Sequence, residues 1–122
     1  MRLEPAGRWQ WAGFGVVAVV SAMILIKLLL PGGLTRFGGF GEAFSHRYID
    51  TVHAVDAYIK PDSGGYDGQF YAQLAVDPSL KHEGFGEAID EPAYRARRIM
   101  LPLAAHLLAL GNGEAAILVY CA

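Results

Sequence analysis

The chain has one cysteine, Cys121, in 122 residues, which excludes an internal disulfide. Its histidines and this cysteine fall at no zinc-site spacing. No run of lysines or arginines is interleaved with aromatics, and a formal net charge of −2 gives no reason to invoke nucleic acid. The length leaves room for one domain at most. Charged residues are also scarce, at 18% against 53% hydrophobic. Most of the apolar content lies near the two ends.

The first apolar stretch is Trp11 to Leu30. At helical rise it covers about 30 Å, the thickness of a bilayer's hydrocarbon core. Trp9 and Trp11 stand at its entrance, where amphipathic rings prefer the interface. Lys27 is its one charge, and its stem is long enough to snorkel toward headgroups. Pro31-Gly32-Gly33 stops the helix. The run is longer than a signal peptide's apolar region, and no small-x-small cleavage pattern follows Leu30. The pattern predicts an uncleaved transmembrane helix over 11–30. Arg2 and Arg8 favour a cytoplasmic N-terminus for residues 1–10, which places the loop 31–98 outside the cytoplasm.

Residues 34–98 are too polar to cross a membrane. Glu42 to Asp56 reads as helical, while Ala54 to Ile59 reads equally as a short strand before the turn Pro61-Asp62-Ser63-Gly64. His46, His53 and Asp56 do not converge as the three or four ligands of a metal site. Pro78 to Ile89 reads as a loop.

The densest signal is Gly64-Gly65-Tyr66-Asp67-Gly68-Gln69-Phe70-Tyr71. Its glycines permit positive φ and sharp turns. A helix follows from Gly68 to Val76 and ends at Asp77-Pro78, because a residue before proline leaves the α region. Asp67 stands where an N-cap would stand. Two readings are open: a carboxylate that only caps this helix, or one presented at the mouth of a cavity.

A further helix starts at Asp90-Glu91-Pro92, where an acidic residue ahead of proline suits a helix N-terminus. Arg95, Arg97 and Arg98 follow, either as interfacial anchors or as phosphate ligands, since guanidinium matches phosphate bidentately. The apolar run 99–110 covers only about 18 Å and is too short to span. It reads as a re-entrant or interfacial helix with His106 on it. Gly111-Asn112-Gly113-Glu114 makes a turn, and 111–122 then reads as the start of a second transmembrane helix, cut off at Ala122. The fold class expected is mainly α and integral to a membrane.

Gly65-Tyr66-Asp67-Gly68-Gln69-Phe70-Tyr71, then Leu74-Ala75-Val76-Asp77-Pro78, then Tyr94-Arg95-Ala96-Arg97-Arg98-Ile99-Met100-Leu101-Pro102-Leu103 resembles the opening of bacterial C-superfamily glycosyltransferases of the polyprenyl-phosphate-mannose-dependent kind. The resemblance covers residues 60–111, and the first helix in type. It implies transfer of a sugar from a polyprenyl-phosphate carrier to an acceptor hydroxyl, with inversion, at the outer face of the plasma membrane. It implies Asp67 as the catalytic base, with Arg95, Arg97 and Arg98 near the departing phosphate. Tyr66, Gln69, Phe70 and Tyr71 would line the sugar or acceptor site. The lipid-linked sugar is a substrate, no cofactor is implied, and the Asp-x-Asp metal pair of many nucleotide-sugar transferases is absent. Such enzymes have many more transmembrane helices, so the resemblance implies an N-terminal portion that needs further helices or a partner membrane protein. Two other classes stand beside this one: a small membrane-anchored interaction or structural protein, and an exported module released from a signal peptide.

Overall fold

The computed structural model describes residues 8–30 and 32–122, with the backbone alone for residues 8–10 and Lys27. The roles expected of Arg2, Arg8, Trp9, Lys27 and Pro31 lie outside what is described. The chain divides into two units, residues 1–31 and 32–122.

The first unit is one helix, α1 (Arg8–Leu29). Its described side chains are all exposed, and Trp11 meets Phe14 edge to face at 6.3 Å. The helix expected here forms, but the integral-membrane fold class is corrected. Among the described residues no helix is long and apolar enough to cross a membrane.

The second unit contains α2 (Asp50–Ala54), α3 (Gly68–Leu74), α4 (Phe85–Ala88), α5 (Pro92–Arg95), α6 (Met100–Leu108) and α7 (Gly113–Cys121). 3₁₀ turns lie at Gly33–Phe37, Glu42–Arg47 and Ala96–Arg98. Its centre is α3, buried from Gln69 to Leu74. Around it lie Phe40, Tyr48, Ile49, Val52, Phe85, Ile89 and Ile117. A helix buried all round carries apolar residues on every face. Here two glutamines interrupt that pattern, and both are paired. Gln73 Oε1 accepts from Ile49 N at 3.1 Å, and its Nε2 donates to Gln69 O at 3.1 Å.

The expected start of a second transmembrane helix is also corrected. Asn112 Oδ1 accepts from Ala115 N at 2.9 Å and caps α7. Leu110 and Gly111 turn the chain with φ of 54° and 77°. The helix then packs on α6, α3 and α2, with Ala116, Ile117 and Cys121 buried. Burial pushes the Cys121 thiol up to about 12. The sequence signal was the unbroken apolar run, which fits a buried core helix as well as a lipid-facing one.

No strand forms among the described residues; Ala54 to Ile59 contributes none. The nearest feature is a single parallel bridge between Gly41 and Lys60. The stretch read as a loop at 78–89 contains α4, because Phe85 and Ala88 bury into the core despite Gly84 and Gly86.

Gly41 lies against the motif's own backbone. A Cβ there would sit 2.1 Å from Gly65 N and 2.5 Å from Gly64 C. Neither atom is the end of a flexible side chain, so nothing can yield cheaply. A Cβ at Gly86 meets nothing within 4 Å. Gly41→Ala should therefore cost about 3 kcal/mol or more, and Gly86→Ala should be neutral or stabilise by less than about 1 kcal/mol. Urea unfolding of the two variants checks this, and equal midpoints would contradict it.

Candidate functional site

Asp67 precedes α3 but does not cap it. Its backbone is already helical, at φ −52° and ψ −29°, and its side chain makes no cap hydrogen bond. An N-cap side chain reaches the first amides from an extended backbone, which Asp67 lacks. Backbone carbonyls take those amides instead: Gln69 N donates to Tyr66 O at 3.0 Å and Phe70 N to Asp67 O at 3.1 Å. The carboxylate is left to point elsewhere.

It points to Arg95. Asp67 Oδ2 lies 3.0 Å from Arg95 Nη1. On its other edge Arg95 is held by Asp90 in a two-point pair, Nε to Oδ1 at 3.0 Å and Nη2 to Oδ2 at 2.8 Å. The guanidinium lies 4.6 Å from the centre of the Phe70 ring, with Tyr71 and Tyr94 at 5.5 and 5.7 Å. The Arg95 side chain is 7% exposed and that of Asp67 66%. A buried cation is thus stacked on aromatic faces and neutralised by two carboxylates that reach solvent. The Asp90 bonds hold Arg95 firmly protonated against the opposing effect of burial, with smaller help from Asp67 and Tyr71. The Tyr71 hydroxyl is buried near the guanidinium but lacks the geometry of a hydrogen bond to any described residue.

Local sequence explains the arrangement. Pro92 takes the first position of α5, where its missing N–H costs nothing. Asp90 stands just ahead, accepts from Glu91 N at 2.9 Å, and meets Arg95 one helical turn on. The motif's Gly65 has φ 71°, and Tyr66 N donates to Gly39 O at 2.8 Å, which sets the angle at which Asp67 enters α3.

The sequence-predicted residues separate into three groups. Asp67, Phe70, Tyr71 and Arg95 come together. Gln69 belongs to a different network: its Oε1 accepts from Tyr48 Oη at 2.5 Å and from Gly41 N at 3.3 Å, and its Nε2 donates to Gly64 O at 2.9 Å. Tyr66, Arg97 and Arg98 are exposed, and the two arginines make no ion pair among the described residues. Sequence reasoning missed Asp90 and Tyr94 as parts of the cluster. The signal was present, because Asp90 lies five residues before Arg95 across a helix start.

Among the described residues no group of three or more His, Cys, Asp or Glu side chains could hold a metal ion. Two hollows lie away from Asp67. One, of about 280 Å³, is lined by His46, Arg47, Asp50, His82, Glu83 and their neighbours. The other, of about 410 Å³, lies between Asp77–Ser79 and the α6 side chains Leu103 and His106. The Asp67–Arg95 pair borders neither. Comparisons with protein-family models, curated proteins and solved structures find no match to this chain.

The bond from Arg95 lowers the Asp90 pKa. A carboxyl lowered in the folded state stabilises it fully above the unfolded value of about 3.9. That contribution is lost as pH falls through the folded pKa. Asp90→Asn should therefore start less stable at pH 7 and lose less on acidification from pH 5 to 2. Thermal midpoints across that range check this, and parallel profiles for variant and wild type would contradict it.

Proposed function

We propose that this chain carries the base-bearing part of a glycosyltransferase that moves a sugar from a polyprenyl-phosphate carrier to an acceptor hydroxyl, with inversion, at the outer surface of the bacterial plasma membrane. The observation that carries the reading is Asp67: an exposed carboxylate, released from capping and aimed by a buried arginine. The resemblance of its motif to polyprenyl-phosphate-dependent enzymes supplies the substrate class.

In the reaction the acceptor O–H gives its proton to Asp67, and its oxygen forms the new bond to the anomeric carbon. The bond from that carbon to the phosphate oxygen breaks, and the electron pair leaves with the lipid phosphate. A phosphate leaving group needs no general acid, so one carboxylate suffices. Asp67 Oδ2 is occupied by Arg95, which leaves Oδ1 for the acceptor. Arg95 is a positioning residue in this scheme, because its guanidinium already serves two carboxylates. Arg97 and Arg98, exposed and two and three residues after Arg95, are the cations assigned to the donor's phosphate. Tyr66 and Tyr94 present exposed aromatic surface of the kind sugars stack on.

One observation favours a second reading, an interaction or structural protein without catalysis. The guanidinium's pairing with Asp67 and Asp90 together is what a clamp between α3 and α5 requires. Asp67→Asn separates the two. It keeps a hydrogen-bonding oxygen for Arg95 but removes the proton acceptor. Transfer from a polyprenyl-phosphate sugar by the full protein should fall by roughly 10²–10⁴-fold, with Glu87→Gln as the charge control. Unchanged transfer, or a loss of folded protein that accounts for the lost rate, would leave the clamp alone.

A further inference from the structure

The core-facing side of α6 is set by Pro102, Ala105 and Ala109, all buried and spaced by three and four residues. The opposite side has no protein partner among the described residues. Met100, Leu101, Leu107 and Leu108 are exposed there, at 75%, 62%, 63% and 74%. Large apolar side chains exposed in a contiguous stripe mark a surface that meets something. Arg97 is four residues before Leu101 and lies at the N-terminal end of the stripe, and Arg98 stands beside it in the 3₁₀ turn at the stripe's edge. Both are exposed and unpaired among the described residues.

We infer that this face of α6 lies on an anionic lipid surface, with Leu101, Leu107 and Leu108 in the headgroup–acyl boundary and Arg97 and Arg98 on lipid phosphates. Charge complementarity selects this occupant. An apolar protein partner would leave two arginines at the edge of the contact without a counter-charge, whereas a bilayer surface of phosphodiesters supplies one beside every apolar site. Guanidinium holds a phosphate at two points, which suits Arg over Lys here. A helix in the surface plane needs no span, because its apolar side chains enter only about 5–10 Å. The inference shares Arg97 and Arg98 with the sugar-transfer reading but uses neither Asp67 nor Arg95, and its readout is shielding of α6 by lipid, which does not depend on transfer.

The test is local to α6, so vesicle binding through any other part of the chain does not produce the signal. A polarity-sensitive thiol dye is placed on Leu101→Cys, Leu108→Cys and, as reference, Glu87→Cys in the full chain; native Cys121 is buried. Vesicles of phosphatidylglycerol or phosphatidylcholine are added, with doxyl-chain lipid as quencher. At positions 101 and 108 the dye should shift to the blue and be quenched in phosphatidylglycerol, while position 87 stays water-like. Replacing both arginines by Gln should weaken the effect roughly tenfold or more, since each basic residue near an anionic surface contributes about 1 kcal/mol. Dye at 101 and 108 as water-exposed as at 87 would overturn the inference. So would equal shielding in both lipids that survives loss of the arginines. Shielding that appears without vesicles and grows with protein concentration would assign the face to a second copy and overturn it too.

Discussion

The second unit depends on one constraint: α3 is seven residues long and buried over nearly its whole length, yet it carries two amide side chains. A buried amide without partners costs about 1–3 kcal/mol. Gln69 and Gln73 avoid that cost by bonding the chain around them, and in doing so they fix it. Gln69 ties Tyr48, Gly41 and Gly64 to one side chain, and Gln73 takes the Ile49 amide. The Tyr48 hydroxyl in turn accepts from Gly41 N at 2.8 Å. Segments with little regular structure are thereby held to a helix too short to hold them by apolar packing alone.

That frame positions the exposed end of α3. The glycine turn enters at an angle fixed by Gly39, Gly41 and Gly65, and Asp67 begins the helix with its side chain free. Arg95 then collects it. A buried guanidinium needs compensation, and it receives two carboxylates and a stack of rings. The plane of the guanidinium lets it serve Asp90 on one edge and Asp67 on the other, and an ammonium could not hold both in fixed directions. The same arrangement joins α3 to α5 and orients the exposed carboxylate.

How much of this was legible in the sequence differs from residue to residue. The helix after Asp67 and the helix start at Pro92 follow from local signals and are present; the break expected at 111–114 falls at 109–112, because α7 already begins at Gly113. Asp67's release from capping was not legible, because a capping residue and a residue just inside the helix differ only in backbone angles. The resemblance implies Gln69 as a ligand contact, and only the fold shows it turned inward to Tyr48. The pairing of Arg95 with Asp67 bridges residues far apart in sequence. Periodicity along either segment cannot report it. The apolar runs gave the positions of α1 and α7 but not what surrounds them.

The central claim is that Arg95 acts on transfer through Asp67, and a double-mutant cycle on the transfer rate tests it most directly. Asp67→Asn, Arg95→Lys and the double variant are compared with wild type in the full protein, with each rate corrected for the folded fraction. If Arg95 works by aiming the Asp67 carboxylate, Arg95→Lys lowers the rate only while that carboxylate is present, and the double variant transfers no more slowly than Asp67→Asn alone. Two effects that multiply in the double variant would contradict the account.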